Sequence, residues 1–368
     1  MSHVLFISHA RGIHGAEAVM VQAVKACAAK GARITVVVPS IVPDEGLEEV
    51  LKAIPKVQIL ALPYRAAGVH VWRTSLVRVY NSYTFGRLKS YVVQEEVDVI
   101  YSSTSITILG AALAKATGVR HVWHWHEPVD KRFGWHPSLK SLYARLAQCA
   151  DTIVCISRQQ QQEWQQTLDI ALPHAQIIYN PIKPIAVAKP VAHEGICIGF
   201  IGHFEERKNL PLLVHTFEQL HAQYPNTKLS LCGALGEEDH RYIETMTVLR
   251  APFVEILPQT SDVASFYSTI DILVLPSWRE TMPLVVLEAM QAGVCVLQTD
   301  QSGMKELIED GKESLFFSPY QPEALSALLT RCMDTDYRQQ IAKAGQQKAL
   351  HLVNNQSFDQ QIQTLLCE

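Results

Sequence analysis

The chain of 368 residues has no long apolar run, no low-complexity tract and no CxxC motif. No stretch reaches the roughly 18 apolar residues that span a bilayer, and the opening VLFIS is too short for a signal-peptide core. The eight cysteines are scattered, so neither a disulfide framework nor a zinc site is predicted, and a cytoplasmic protein with reduced thiols is expected. A content of 48% hydrophobic and 18% charged residues excludes the disordered and fibrous classes.

Carboxylates are missing from residues 50–94. Residues 1–184 hold 19 Lys and Arg against 13 Asp and Glu (+6), and the remainder holds 13 against 23 (−10), giving the net charge of −4. We interpret the basic segment, in which aromatics alternate with cations, either as a solvated helix face or as a surface for anionic membrane headgroups or a phosphate-linked acceptor. Nucleic acid is not an expected partner, because the whole chain is acidic and carries no nucleic-acid-binding motif. The basic residues are Lys52, Lys56, Arg65, Arg73, Arg78, Arg87 and Lys89.

Short apolar runs alternate with helical patterns in both halves of the chain. HVLFIS, ITVVVP, VQILALP, VDVIYSS, HVWHWH and TIVCIS are near-continuous apolar runs, which is typical of parallel strands covered on both faces. The pattern pauses at a proline-containing linker, residues 180–195, and restarts with ICIGFIG, KLSLCG, FVEIL, DILVLP, VCVLQT and SLFF. Helices are expected between these runs, one of them near 238–250, and two more at about 321–333 and 336–366.

This alternation predicts an α/β protein with two Rossmann-like, doubly wound parallel-sheet domains that face a cleft. The first domain is expected over residues 1–184 and the second over residues 185–349. A C-terminal helix at about 350–368 is expected to pack back on the first domain.

Two glutamates, Glu280 and Glu288, stand eight positions apart in SWRETMPLVVLEAMQAG. Pro283 suits the first turn of a helix that Gly293 closes. Eight helical positions span roughly 12 Å, which exceeds the ~5–9.5 Å between the paired carboxylates of glycosidases. A hydrolytic couple is therefore disfavoured. Two contacts to one extended ligand remain, as does a solvated loop residue with a surface helix residue.

Two loops of the second half are suited to anions. GHFEERKN follows an apolar strand and brings Arg207 and Lys208 to the start of a helix, whose free N–H groups and partial positive charge attract anions. The helix start at Pro283 offers the N–H groups of Leu284 and Val285 in the same way. Two such seats in one domain predict a diphosphate site.

Other candidate motifs are weaker. The loop HARGIHGAE contains Gly15 but is neither a GxGxxG fingerprint nor a Walker loop, which disfavours NAD and ATP. His126 in WHWHEP lacks a cluster of further metal ligands, so it is either a contact to a bound sugar or a buried structural histidine. The Asp-x-Asp of MDTDYR is expected to cap the next helix rather than to hold a metal, with Asp334 or Asp336 as the cap.

Together these motifs resemble the retaining, nucleotide-sugar-dependent glycosyltransferases called family 4, which have the GT-B architecture. The most specific element is the E-x7-E run from Glu280 through Glu288, followed by AMQAG. HGAE, HEP at 126–128, YNPI at 179–182 and GHFEERKN at 202–209 fall in the expected order. The resemblance implies a donor in the second domain and an acceptor in the first. It also implies front-face displacement without a protein nucleophile, a metal or a cofactor, the donor being a nucleotide-diphosphate sugar of the UDP or GDP type.

Carried over by position, the resemblance implies three catalytic residues: His126 beside the transferred sugar, Lys208 on the diphosphate and Glu280 on the donor sugar. Glu288 would bind the ribose. His203 stands where the family usually has arginine, and Thr281–Pro283 departs from the usual proline–aromatic–glycine. The implied donor-binding set is Gly15, His203, Arg207, Lys208, Ile256, Leu257, Pro258, Glu280, Met282, Pro283, Leu284, Val285 and Glu288.

The resulting hypothesis is transfer of a hexose-like sugar to an acceptor hydroxyl in bacterial lipopolysaccharide or other surface-polysaccharide assembly. The basic segment favours a lipid-linked or saccharide acceptor and a peripheral position at the inner face of the plasma membrane. Two alternatives remain open: a transferase for a soluble small-metabolite acceptor, and a catalytically weak subunit that binds a sugar nucleotide.

Overall fold

The chain forms two compact α/β units. The computed structural model describes residues 2–13, 15–44, 46–65, 75–129, 137–186, 191–233 and 251–368. Unit 1 comprises Met1–Pro181 with Ser357–Glu368, and unit 2 comprises Ile182–Gln356. Each unit contains one sheet whose strand pairs are all parallel, which confirms the predicted α/β class with two parallel sheets.

The strands are β1 His3–Ile7, β2 Arg33–Pro39, β3 Val57–Leu62, β4 Val99–Ser103, β5 Arg120–Trp125, β6 Thr152–Cys155, β7 Ala175–Ile177, β8 Ile196–Ile201, β9 Thr227–Gly233, β10 Val254–Pro258, β11 Ile272–Leu275, β12 Cys295–Thr299 and β13 Leu315–Phe317. The sheet of unit 1 has the order β3-β2-β1-β4-β5-β6-β7, and that of unit 2 has the order β10-β9-β8-β11-β12-β13. Five strands (β1, β4, β6, β11 and β12) are buried along their whole length, and β2, β5 and β8 are buried after their first residue, because helices follow them on the sheet faces.

The described helices connect these strands. The Asp-x-Asp interpretation is confirmed, since the Asp334 side chain accepts the Tyr337 N–H at 2.8 Å at the start of a helix. The helices are α1 Gly15–Ala29, α2 Leu47–Lys52, α3 Ser75–Gln94, α4 Ile108–Thr117, α5 Pro137–Gln148, α6 Arg158–Leu168, α7 Leu210–Gln223, α8 Val263–Tyr267, α9 Leu284–Gln291, α10 Pro322–Arg331, α11 Thr335–Asn354 and α12 Phe358–Cys367.

The prediction of one terminal helix at 336–366 is wrong, because a turn separates two helices there, α11 and α12. The Asn355 side chain donates to the His351 carbonyl at 2.8 Å and ends α11. Gln356 then bonds both the N–H and the carbonyl of Ile182, at 2.8 and 3.0 Å. These polar contacts hold the turn from which α12 returns to α1 of unit 1, where Phe358 and Ile362 are buried in the core.

Some predictions fall outside the described residues. These are the helix near 238–250, the loop residue His14, residues 66–74 of the basic segment and residues 187–190 of the linker. β7, a three-residue edge strand, was not predicted, because AQI carries no apolar run. Over the described part of the chain, the helices are all too short or too polar to cross a membrane.

The parallel sheets decide where the motifs lie. In a parallel sheet the loops after the strands share the carboxyl edge, where α/β proteins bind ligands. HARGIHGAE follows β1 and HEP follows β5 in unit 1, whereas GHFEERKN follows β8 and SWRETMP follows β11 in unit 2. Each unit therefore gathers its own candidate residues at one edge of its own sheet.

Candidate functional site

The carboxyl edge of the unit 2 sheet brings the basic loop and the first motif glutamate together. β8 and β11 are neighbouring strands, so the loops that follow them meet. Lys208 Nζ lies 2.7 Å from Glu280 Oε1, and Arg207 Nη1 lies 3.2 Å from Glu280 Oε2. The Ser277 hydroxyl donates a third bond to Glu280 Oε1 at 2.7 Å. One carboxylate thus binds two cations that lie 72 and 73 positions away in the sequence.

Glu280 is buried, with only 6% of its surface exposed. Burial alone would raise its pKa, but the neighbouring Lys208 and Arg207 charges outweigh it, and the pKa of Glu280 lies below its ordinary value. The carboxylate is therefore ionised at neutral pH. Its backbone is also fixed, since the Glu280 N–H donates to the Gln301 carbonyl at 2.8 Å.

Arg207 supplies the guanidinium of this cluster. Its second nitrogen, Nη2, donates to Glu205 at 2.7 Å, so it bridges a buried carboxylate and a more exposed one. His203, where the resemblance implies an arginine, is exposed. Arg207, four positions later, supplies a guanidinium, whose planar array of donors an imidazole does not reproduce.

The helix after Glu280 begins one residue later than predicted. Pro283 has ψ 107° and precedes the helix as its N-cap, and α9 starts at Leu284. Proline has no N–H to offer there, so the first N–H groups of this helix that have no acceptor within the helix are those of Leu284 and Val285. Met282 and Pro283 are buried beneath this helix start.

Glu288 lies in the second turn of α9 and is held by a tyrosine. The Tyr267 hydroxyl lies 3.1 Å from Glu288 Oε2 and 3.2 Å from the Val285 carbonyl. Burial raises the pKa of Glu288, against the smaller opposing effects of Tyr267 and Lys183. Tyr267 is itself only 1% exposed, so its hydroxyl is held in place by packing. Through this hydroxyl the Glu288 carboxylate is oriented toward the first turn of α9, where Val285 lies.

The expected nucleobase contacts lie on β10, at one edge of the unit 2 sheet. Ile256 is 47% exposed, an unusual value for a large aliphatic side chain on a strand. Leu257 is partly buried and Pro258 is exposed at the carboxyl end of the strand. Their backbone is within the sheet, in register with Leu231–Gly233 of β9.

The carboxyl edge of the unit 1 sheet gathers three of the short motifs. His9, after β1, pairs through Nδ1 with Glu17 of α1 at 2.7 Å. His126, after β5, is hydrogen-bonded to Asn180 of the YNPI motif. The Glu127 carboxylate accepts the N–H groups of residues 105 and 126, at 2.9 and 3.3 Å. HGAE, HEP and YNPI therefore form one polar cluster.

Two histidines of this cluster, His126 and His9, have their pKa values shifted in opposite directions. Burial lowers the pKa of His126 to about 4 despite the nearby Glu127 and Glu17, so its imidazole is neutral at pH 7. Burial also acts against the charged form of His9, but the Glu17 hydrogen bond prevails and raises its pKa. At the start of α1, a Cβ added at Gly15 would meet nothing within 4 Å, so packing does not explain a glycine there.

Sequence reasoning did not single out several residues of these clusters: Tyr267, Ser277, Glu205, His9, Glu17, Glu127 and Asn180. All of them except Tyr267 lie inside the motifs quoted above, so their positions beside the predicted site residues were the available signal. Tyr267 comes from α8, 21 positions before its partner, and only tertiary structure reveals the contact. Within the described ranges, His, Cys, Asp and Glu side chains nowhere cluster in threes as a metal site would require.

Comparison with known proteins identifies both halves. The family model "Glycosyltransferase Family 4" matches residues 13–184, and "Glycosyl transferases group 1" matches residues 184–348. An "uncharacterized glycosyltransferase" of Haemophilus influenzae is 26% identical over 245 residues, 64% of this chain and 66% of the relative. The chain thus spans slightly less than two thirds of that relative's length.

Two solved structures cover almost the whole chain. Anabaena HepE, in complex with UDP and glucose, matches with a TM-score of 0.81 and 19% identity over 100% of both chains. WaaG, a glycosyltransferase involved in lipopolysaccharide biosynthesis, matches with a TM-score of 0.71 and 15% identity over 99% of both. At such identities the likeness shows the fold, and the predicted two-domain GT-B class is confirmed.

Proposed function

The chain belongs to the group 1 glycosyltransferases, and from that premise we propose that it transfers a sugar from a nucleotide-diphosphate donor to an acceptor hydroxyl. The observation that carries the proposal is the buried Glu280 carboxylate, bound by Lys208 and Arg207 next to the start of α9. Two cations and a helix N-terminus at one sheet edge make a seat for a diphosphate. The ionised Glu280 keeps both cations in place before the donor arrives.

The chemistry of this site is stabilisation of a leaving group. In the transfer, the bond between the sugar's anomeric carbon and the diphosphate oxygen breaks, and a bond to the acceptor oxygen forms. Negative charge develops on the departing diphosphate, where Lys208, Arg207 and the N–H groups of Leu284 and Val285 would stabilise it. We assign retention of configuration to the reaction, with the acceptor proton passing to the leaving phosphate and no protein nucleophile.

In unit 1, His126 is the proposed contact to the transferred sugar. A neutral imidazole donates through one nitrogen and accepts through the other, which suits a sugar hydroxyl better than a cation would. Asn180 and Glu127 fix the position of this residue. No resident metal or cofactor is part of the proposal.

A nucleotide thermal-shift experiment tests the donor site. A ligand that binds only the folded state raises the melting temperature. UDP or GDP is expected to stabilise the wild-type protein, and Glu288→Ala is expected to abolish that stabilisation together with slow donor hydrolysis. Tyr267→Phe, which removes only the hydroxyl that orients Glu288, is expected to weaken nucleotide affinity by about 3–10-fold.

Glu218 offers the matched control. It is an exposed carboxylate on α7, in the same unit but outside both clusters. Glu218→Ala is expected to leave the nucleotide-induced shift unchanged. Undiminished turnover in Glu288→Ala, or stabilisation of the wild type by none of UDP, GDP, ADP and CMP, would contradict the proposed donor site.

The proposed acceptor is lipid-linked or saccharide, as in surface-polysaccharide assembly, and α3 is its proposed approach to a membrane. Leu88 and Val92 of α3 are fully buried, whereas Tyr83 is 53% exposed on another face. Arg87 is exposed one turn later and donates to the Tyr83 hydroxyl at 3.4 Å. Aromatic rings beside cations on an exposed helix face suit an anionic interface.

Co-sedimentation with vesicles tests this surface. Binding to phosphatidylglycerol-containing vesicles is expected at low salt and is expected to weaken with added salt, because the attraction is electrostatic. Tyr83→Ala combined with Arg87→Ala should reduce the bound fraction several-fold, whereas exposed Lys312→Ala in unit 2 should not. Co-sedimentation of equal amounts of protein with neutral and anionic vesicles, or no binding at low salt, would contradict the proposed approach of α3 to a membrane.

A further inference from the structure

Two aromatic side chains form an exposed pair at the carboxyl edge of the unit 2 sheet. The rings of Trp278, after β11, and Tyr320, after β13, have centroids 5.4 Å apart and planes inclined by 31°. Trp278 is 37% exposed and Tyr320 is 66% exposed. The three tryptophans of unit 1 whose side chains are described are all 0% exposed. The pair therefore does not serve a core.

Backbone contacts attach this pair to the donor loops. The Trp278 N–H donates to the Arg207 carbonyl at 3.0 Å, so the indole is carried by the loop that holds the Glu280 cluster. The loop after β12 is hydrogen-bonded to its neighbours on both sides. Its Gln301 carbonyl accepts the Glu280 N–H at 2.8 Å, and its Asp300 N–H donates to the Phe317 carbonyl, at the end of β13, at 2.8 Å. Three consecutive loops thus form one continuous edge.

The chemistry of this edge suits a sugar ring. One face of a pyranose presents C–H groups, which pack on the electron-rich face of an aromatic ring, while its hydroxyls require polar partners. Asp300 and Gln301 lie on the intervening loop, are partly exposed, and are linked to each other at 2.8 Å. They supply a carboxylate and an amide on the loop between the two that carry the rings.

The strand order argues against a nucleobase as the occupant. The expected base contacts lie on β10, at one edge of the sheet, and Tyr320 follows β13 at the opposite edge. Five strand-to-strand steps of ~4.8 Å separate these edges by roughly 24 Å. Lys208 and Glu280, after β8 and β11, lie between them. Tyr320 is therefore on the far side of the diphosphate seat from the base, and Trp278, in the same loop as Glu280, lies between that seat and Tyr320.

We propose that Trp278 and Tyr320 form a platform that binds a pyranose ring of a saccharide, either the donor's sugar or a unit of the acceptor. The inference deepens the proposed function and rests on it for the choice between those two sources. Stacking of the ring on both aromatics would place its hydroxyls toward Asp300 and Gln301. The platform then determines which sugar the enzyme accepts beside Glu280.

Fluorine NMR of protein labelled with 5-fluorotryptophan tests the platform, with the Trp278 signal assigned from Trp278→Phe. The probes are UDP, UDP-glucose, maltotriose, lactose and mannobiose, the oligosaccharides at about 20 mM because weak sugar binding falls in the millimolar range. A shift with UDP-glucose but not with UDP would identify the donor sugar as the occupant. A shift with an oligosaccharide alone would identify an acceptor unit.

Tyr320→Ala is expected to weaken the saccharide-induced shift by about 3–10-fold, the size of a single aromatic contact. Tyr224→Ala is the matched control, since Tyr224 is likewise an exposed tyrosine (37%) but lies at the end of α7, before β9, near the opposite edge of the same sheet. A Trp278 signal that none of the saccharides moves, in protein that UDP still stabilises, overturns the platform and leaves the proposed function standing. Saccharide shifts in protein that no nucleotide stabilises would support the platform and contradict the donor site.

Discussion

Glu280→Gln is expected to lower donor turnover by about 100–1000-fold, the loss that follows removal of one preorganised electrostatic contact from an active site. The substitution preserves the shape of the side chain but removes the charge that holds Lys208 and Arg207. Both cations would then adopt other positions, and the proposed diphosphate seat would lose its geometry. The measurement is release of UDP from UDP-glucose, or of the corresponding nucleotide from whichever donor stabilises the protein.

Stability should fall as well, because breaking a buried ion pair by neutralising one partner leaves the other charge without compensation, at a cost of roughly 3 kcal/mol. The activity must therefore be measured below the melting temperature of the variant. Glu205→Gln is the matched control: it also removes a carboxylate from Arg207, at 2.7 Å, but leaves Glu280 and Lys208 intact. We expect less than a threefold change there. A folded Glu280→Gln protein with near-normal turnover would show that the cluster is structural.

The fold followed from the sequence because its dominant signal is local. Strands covered on both faces need apolar residues throughout, and runs such as ICIGFI and CVLQT meet that need without reference to the rest of the chain. The break between α11 and α12 did not follow, because the contact of Gln356 with Ile182 joins residues 174 positions apart. Because the sequence has a helical pattern on both sides of this turn, the pattern alone does not predict where the helix ends.

The residues of the candidate site and the loops that carry them could be predicted from the sequence, but the contacts between their side chains could not. Spacing and residue type placed Lys208 and Glu280 on loops at sheet edges, where ligands bind. That these two side chains bind each other depends on β8 and β11 being neighbours, a strand order that no local pattern encodes. Tyr267 shows the same limit, because the hydroxyl that orients Glu288 comes from a five-residue helix with no motif of its own.

Acidification is expected to unfold unit 1 between pH 6.5 and 4, because histidines on β5 and directly after it are buried in neutral form. Burial lowers the pKa of His121 to about 3 and that of His126 to about 4, and it lowers the pKa of His124 well below its ordinary value. In the unfolded chain each titrates near 6.5. Below that pH the unfolded state binds protons that the folded state does not bind, so the free energy of unfolding decreases as the pH falls toward the folded pKa values.

His9 acts in the opposite direction. Its pKa is raised by Glu17 against the effect of burial, so its stabilising contribution is complete below pH 6.5 and is lost only as the pH rises through the folded value. At pH 5 the two histidines with defined values cost about 2 kcal/mol each, and His124 adds to that loss. A loss of this size is a large part of the ~5–15 kcal/mol that holds a domain folded, and one opposing histidine does not cancel it.

Tryptophan fluorescence follows this transition in unit 1, because Trp123, Trp125 and Trp164 are buried there and Trp278 of unit 2 is partly exposed. His121→Gln preserves a bond to Ser102, which His121 Nε2 makes at 2.9 Å, but removes one titrating group. The melting temperature should therefore fall less steeply between pH 6.5 and 5 than in the wild type, whatever its value at neutral pH. His215→Gln, an exposed substitution on α7, should leave the slope unchanged. An identical slope in His121→Gln would contradict the contribution assigned to His121.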